Sequence, residues 1–228
     1  MEPSVKRYVL TSSSFAAHLP KPNKKGVVTK DTWNDESVKI AQQDPPYLPG
    51  RASHNYAASK ALAEREVWKF YRENETRRLG LIVNTVLPSA NFGKSLDLVN
   101  QGHPSTSKFV EFLWKDTNLQ QIAGIPPQYF IDVQDCARLH VAAVIHPEVI
   151  WKRIFAWAEP YNYDIILDIL RKQNAGKEFV RNVQNGVDLH IVEPRARAEQ
   201  LLRGMGRAGF TSLEDSIWMN SEDLRSTV

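Results

Sequence analysis

The sequence predicts an α/β fold with a parallel sheet, and three observations carry that prediction. Tyr8-Val9-Leu10 is a short apolar run ended by small polar residues, and residues 81–87 are a second one ended by proline. Strands buried on both faces of a sheet read this way. Between the two runs, residues 55–74 carry apolar side chains at helical spacing. Strand, connection, helix and strand in that order form a βαβ-like unit.

Along the chain, the first strand runs into Thr11-Ser12-Ser13-Ser14, the kind of small polar loop that follows a buried parallel strand. The next forty residues or so hold Pro20, Pro22, Gly26, Pro45, Pro46, Pro49 and Gly50, too many breakers for long regular elements, so they are expected to form a long excursion loop. In the helix beyond it, Ala58, Leu62, Val67, Phe70 and Tyr71 are expected to form the apolar face, with Glu64 and Arg72 facing water. Gly80 ends the connection, and the second strand is interrupted only by Asn84 and Thr85 before Pro88 stops it. Beyond Gly93 the pattern predicts a polar loop, a helix over 107–115 and a short strand over 129–133. Asp135 is placed to cap a helix that runs to about Ile145, where Pro147 closes it. A strand over 153–158 and helices over 163–173 and 195–203 complete the chain.

Composition excludes several classes. With 42% hydrophobic and 24% charged residues the chain is neither disordered nor fibrous. The net charge of +3 is small for 228 residues and the bases are interleaved with acids along the sequence, so no nucleic-acid partner is expected. No apolar run approaches the ~18–20 residues of a bilayer span. The polar residues 11–14 interrupt what a signal peptide would need, so neither a membrane nor a targeting signal is expected. The single cysteine, Cys136, cannot form an internal disulfide and suits a reducing compartment, the cytoplasm, as a small buried apolar residue.

Chemistry enters at Tyr56-Ala57-Ala58-Ser59-Lys60, where a phenol and an ammonium four residues apart share one face of a helix. A free phenol, with a pKa near ~10, holds its proton at neutral pH; a neighbouring ammonium stabilises the phenolate and eases proton exchange with a carbonyl oxygen. Taken alone, a tyrosine and a lysine at this spacing more often make a packed ring beside a solvated amine. The hydroxyls of residues 11–14 lie at the carboxyl end of a strand, the edge of a parallel sheet where ligands bind, although serines there also serve as plain turn residues. Asp135 and His140 are expected to be structural, as a helix cap and a histidine packed against the sheet, because no second ligand pair at metal spacing accompanies them.

In combination these pieces resemble the extended short-chain dehydrogenases/reductases of the NAD-dependent epimerase/dehydratase superfamily, in their dihydroflavonol reductase, cinnamoyl-CoA reductase and fungal aldehyde/ketoreductase branches. The matching segments are residues 5–13, Asp31-Thr32-Trp33-Asn34-Asp35, Tyr56 to Lys60, the Pro88-x-x-x-x-Gly93 turn, residues 130–140, and 204–210 with 213–216. Their order and spacing also match, over nearly the whole chain. The resemblance implies that Ser13 orients a substrate carbonyl, Tyr56 donates the proton, and Lys60 tunes Tyr56 while holding the nicotinamide ribose. It places Pro88 and Ser89 beside the nicotinamide. Where the family has proline after the glycine of that turn, this chain has Lys94.

The resemblance implies a partial Rossmann-like sheet with a small C-terminal substrate-binding lobe. Residues 1–93 would form the catalytic half of the Rossmann-like domain, and 94–228 mostly the lobe, with 129–158 returning to the core. The expected function is NAD(P)H-dependent reduction of a small-molecule aldehyde or ketone, with NADP or NAD as cofactor; the alternative is a non-catalytic remnant that binds a small molecule or a partner subunit. Isomerase or dehydratase chemistry uses the same fold and the same Tyr/Lys pair. The family's glycine-rich phosphate loop comes after a first strand that this chain does not contain, so cofactor binding is expected to be weak and the sheet to have an exposed apolar edge, a route to homo-oligomers. Gly204-x-Gly206-x-x-Gly209 matches the letters of a dinucleotide fingerprint but comes after a helical segment, so a helix end and turn are expected there.

Overall fold

The computed structural model describes residues 4–47 and 49–226. The first half comprises β1 (Arg7–Thr11), a 3-10 turn at Ser14–Ala16, β2 (Lys25–Val28), α1 (Asp35–Ala41), α2 (Arg51–Asn74), β3 (Ile82–Pro88) and β4 (Ala90–Phe92). The second half continues with α3 (Ser107–Lys115), α4 (Leu119–Ala123), β5 (Gln128–Asp132), α5 (Val133–Ile145), β6 (Arg153–Ala156) and β7 (Pro160–Tyr161). It ends with α6 (Tyr163–Gln173), β8 (Leu189–Val192), α7 (Arg195–Gly204), α8 (Leu213–Asn220) and α9 (Glu222–Arg225).

The central sheet has the order β1-β3-β6, all parallel, with α2 as the crossover from β1 to β3. The α/β class, the parallel sheet and the strand–helix–strand unit are therefore as the sequence predicts. Two small sheets flank it: parallel β2-β8, and β4-β5-β7, in which β5 runs parallel to β4 and antiparallel to β7. Leu87 of β3 and Phe155 of β6 share a cluster with Val28 and Val192, which holds the β2-β8 pair against the central sheet. The main core lies on the other side, around Phe130, Leu139, Ile166, Leu167 and Leu202, all fully buried. Each such side chain contributes ~1.5–3 kcal/mol by leaving water.

The structure departs from four expectations. The stretch after Ser14 is not one loop: β2 and α1 lie in it, each short enough to fit between the prolines, and β2 persists because β8 pairs with it from the far end of the chain. Helix α2 starts at Arg51, behind Gly50 in the left-handed region at φ 84°, where a residue without Cβ is unstrained. Its buried face is Ala57, Ala58, Ala61 and Glu64, while Leu62 and Phe70 are exposed. Glu64 is thus wholly buried, because buried donors from three strands or strand ends converge on it. Finally, Asp132 and not Asp135 caps α5, accepting from the Gln134 amide at 2.9 Å. Asp135 is buried in the first turn, pairing with Arg138 at 2.9 Å and accepting from the Thr211 amide.

Strand β1 is an edge strand, and apolar side chains stay exposed around it. Val5, Tyr8 and Phe70 line a cleft of about 450 Å³ there, and Val141, Val144 and Ile145 are exposed on α5. Gly204 closes α7, and Gly206 and Gly209 come next with positive φ, so the glycine run is a helix end and turn. No helix among the described residues is long and apolar enough to cross a membrane.

Candidate active site

Strand β1 ends at Thr11 and the chain turns into the 3-10 segment because Ser13 caps it: extended at φ −158°, it accepts from the Phe15 amide at 3.2 Å through its side-chain oxygen. The cap uses a lone pair of Ser13 Oγ and leaves its proton free to donate. Helix α2 comes down onto this turn through Ala58 and Ala61, which pack with Ala16 and Val38. Side chains no larger than methyl at the two α2 positions let the helix approach closely and bring its first turns beside the serines.

The result is a cleft of about 280 Å³ at the carboxyl ends of β1 and β3, lined among others by Ser13, Tyr56, Lys60, Pro88 and Ser89. Every residue singled out from the sequence for catalysis or cofactor contact lies on it. Tyr56 is half exposed, 48%, with its ring meeting Phe15 edge-on at 6.0 Å between centroids. Lys60 places its Nζ 5.9 Å from the centre of the Tyr56 ring and donates to the Thr11 carbonyl at 3.4 Å, a long bond that leaves most of its donor capacity unspent. Ser89 differs: its hydroxyl donates to the Tyr129 carbonyl at 2.5 Å, so it fixes the β3–β4 bend rather than presenting a donor.

Sequence reasoning missed what lies under the helix. Glu64, one turn beyond Lys60, accepts from Ser12 Oγ at 2.7 Å, Thr85 Oγ1 at 2.8 Å and Arg153 Nε at 2.7 Å. This carboxylate ties α2 to the serine loop, to β3 and to β6 at once. The signal available was the buried Thr85 in an apolar run, a hydroxyl that requires a partner. Asn91 and Thr106 also line the cleft and lock each other, the Asn91 amide donating to Thr106 Oγ1 at 2.9 Å and Thr106 donating back to the Asn91 carbonyl at 2.8 Å.

Neighbouring groups have structural explanations. His140 bonds Thr11 Oγ1 through Nε2 at 2.9 Å and the Cys136 carbonyl through Nδ1 at 2.8 Å, so it is tied to the sheet edge. Burial, with help from Asp132 and Asp135, pushes the Cys136 thiol up to about 12. Gly93, at φ 121°, faces Asp132, whose Oδ2 would lie 2.6 Å from any Cβ, and Lys94 beside it reaches out to Glu222 at 2.7 Å.

A nicotinamide end fits this donor set: the unspent hydroxyl proton of Ser13, the exposed phenol of Tyr56 and the Lys60 ammonium converge on one cleft. The described residues contain no strand–glycine loop–helix for a pyrophosphate; the glycine run at 204–209 lies at the carboxyl end of a helix, the wrong pole for a phosphate.

No family model matches the chain. It is 34% identical over 226 residues to the NAD-dependent epimerase/dehydratase terH of Aspergillus terreus, covering 94% of this chain and 62% of that protein. It is 34% identical over 217 residues to aldehyde reductase 2 of Sporidiobolus salmonicolor, with the same coverages. Ketoreductase adrE of Penicillium rubens is 36% identical over 224 residues, 95% of this chain and 61% of that one. Among solved structures, Gre2 of Candida albicans in complex with NADPH superposes with a TM-score of 0.76 at 21% identity, over 97% of this chain and 64% of that one. Vestitone reductase from alfalfa superposes with a TM-score of 0.70 at 22% identity, over 98% and 66%. The chain thus spans about three fifths of the length of these curated relatives. In sequence the chain is therefore similar to fungal reductases and epimerase/dehydratases, and its fold is similar to that of the Gre2 and vestitone reductase structures.

Proposed function

We propose that this chain carries the catalytic residues of an NAD(P)H-dependent carbonyl reductase acting on a small or medium aldehyde or ketone, in secondary metabolism. The observation that carries the reading is the convergence of Ser13, Tyr56 and Lys60 on one cleft. Ser13 donates its free proton to the substrate carbonyl oxygen and holds it beside Tyr56. The Tyr56 phenol hands its proton to that oxygen as negative charge develops on it, and Lys60 stabilises the phenolate left behind. Lys60 and Tyr56 hold the ribose, and Pro88 and Ser89 wall the nicotinamide. When bound, the nicotinamide supplies the hydride. The cofactor is NADP or NAD: the Candida Gre2 structure is an NADPH complex, and the Aspergillus relative is named NAD-dependent. Residues 1–93 act as the catalytic half-domain and 94–228 mostly as the substrate lobe, with 129–158 in the core. The buried thiol of Cys136 suits the cytoplasm.

The test is carbonyl-dependent oxidation of NADPH, monitored by nicotinamide absorbance over a panel of aldehydes and ketones. Turnover with at least one class is expected; none at any cofactor concentration, with the carbonyl saturating, sinks the reading for this chain. A second reading, a non-catalytic module that pairs with a partner subunit or a second copy, is favoured by the exposed apolar edge at Val5, Tyr8 and Phe70. It predicts concentration-dependent association by ultracentrifugation that Tyr8→Lys abolishes.

A further inference from the structure

Bases that are interleaved with acids along the sequence gather on one face of the fold. On α2, Arg65, Trp68, Lys69 and Arg72 sit at positions i, i+3, i+4 and i+7, one helical stripe, and that stripe walls a cleft of about 660 Å³. Trp33 and Arg153 form its floor, with Arg153 stacked 3.9 Å and Arg65 4.9 Å from the centre of the Trp33 ring. Trp151 and Lys152 also line it. The lining holds six cations and two carboxylates, and it shares no residue with the Ser13–Tyr56–Lys60 cleft.

Two features distinguish this cleft from an ordinary charged surface. The first is pairing. Arg65 is matched by Asp35 and Arg153 by Glu64, whereas Arg72 and Lys152 have no carboxylate within ion-pair distance among the described residues. The second is Trp151. It is 53% exposed and held at φ 55°, a left-handed conformation that a bulky side chain adopts only under constraint. The constraint is visible: fully buried Asn84 donates to the Val149 carbonyl at 2.9 Å and accepts from the Lys152 amide at 2.8 Å, clamping the chain on both sides of Trp151. The exposed ring lies against Tyr71, 5.5 Å between centroids. A large aromatic surface is pre-positioned in water beside two uncompensated cations.

We propose that this cleft is a binding site for a small planar aromatic anion, stacked on Trp151 with its negative group between Arg72 and Lys152. Its volume suits a ligand of one or two rings, within the ~300–1,000 Å³ typical of small-molecule sites. Aryl carboxylates and purine mononucleotides share this chemistry, and the experiment separates them. The full chain is titrated with 2-naphthoate and, separately, with AMP, monitoring tryptophan fluorescence, with neutral 2-naphthalenemethanol as control. A saturable signal is expected for at least one anion below about 1 mM, weakened by raised salt and at least about tenfold tighter than for the neutral control. The double variant Arg72→Glu/Lys152→Glu should lose about tenfold or more in affinity while melting like the wild type, since both side chains are exposed and unpaired. Trp151→Asn, which relieves the backbone, should lose stacking and affinity alike. Saturation by naphthoate alone assigns an aryl carboxylate, and by AMP alone a nucleotide. No saturation by either, or equal affinity in the charge-reversed variant, overturns the site.

Discussion

Replacing Glu64 by glutamine removes one charge from a carboxylate that has no solvent exposure, and leaves its partner in place. The Arg153 side chain is only 9% exposed, its Nε lies 2.7 Å from Glu64 Oε1, and its NH2 group already lacks a partner. Removing one member of a buried pair leaves the other charge uncompensated and costs about 3–5 kcal/mol. The neutral amide still accepts one hydrogen bond from Ser12 or Thr85, so loss of those bonds adds little. A chain of this size loses about 2–4 °C of melting temperature per kcal/mol, so Glu64→Gln should melt roughly 6–20 °C below the wild type. The assay is thermal unfolding monitored by circular dichroism at neutral pH. Thr85→Val, which deletes one neutral donor to the same carboxylate, serves as the comparison and should cost only about 1 kcal/mol. A Glu64→Gln protein that melts within about 2 °C of the wild type would refute the view that this carboxylate clamps α2 to the sheet.

Single residues elsewhere make further predictions. His18 is pulled down to about 4, by burial first and then by the neighbouring His190, while the unfolded chain takes up its proton near 6.5. Stability should therefore be full above pH 6.5 and fall as pH drops from there towards 4, a slope that His18→Asn should flatten in melts across that range. Gly93→Ala places a Cβ 2.6 Å from Asp132 Oδ2 in a backbone conformation only glycine holds comfortably; a loss of about 2–3 kcal/mol is expected in urea titrations, against none for Gly102→Asn, which meets open space. With its thiol pushed up to about 12, Cys136 should resist iodoacetamide at mildly alkaline pH in the native protein and react readily in urea. Rapid alkylation of the folded chain would contradict its burial.

Local pattern carried much of the fold. Helices α3 and α6 have the boundaries that periodicity alone gives, because each is a short amphipathic segment whose polar flanks lie next to it in sequence. Strands β1, β3, β5 and β6 were legible for the same reason, as apolar runs with local stops. What escaped was set by distant partners. β2 exists because β8, more than 160 residues later, hydrogen-bonds to it, and β4 and β7 are two- or three-residue strands completed by β5. The orientation of α2 was misread at Glu64, since a charge in a helical pattern reads as solvated unless the arginine and hydroxyls that neutralise it are known, and Arg153 lies 89 positions away. At the cleft, Ser13, Tyr56 and Lys60 were readable only through the resemblance of the ordered motifs, since spacing alone left the pair open to plain packing and the serines to turn chemistry. The role of Ser89 as a backbone tie was not, because only the fold brings Tyr129 to it.

The central claim is that the Tyr56 phenol, sharing one cleft with Lys60 and Ser13, delivers the proton in carbonyl reduction. Its most direct test compares single-turnover carbonyl reduction by the unaltered chain and by Tyr56→Phe at saturating NADPH, with cofactor binding measured in parallel by nicotinamide fluorescence. Loss of one hydroxyl should slow reduction by about 10²–10⁴-fold while cofactor affinity stays within a few-fold. Equal rates in the two proteins would contradict the account.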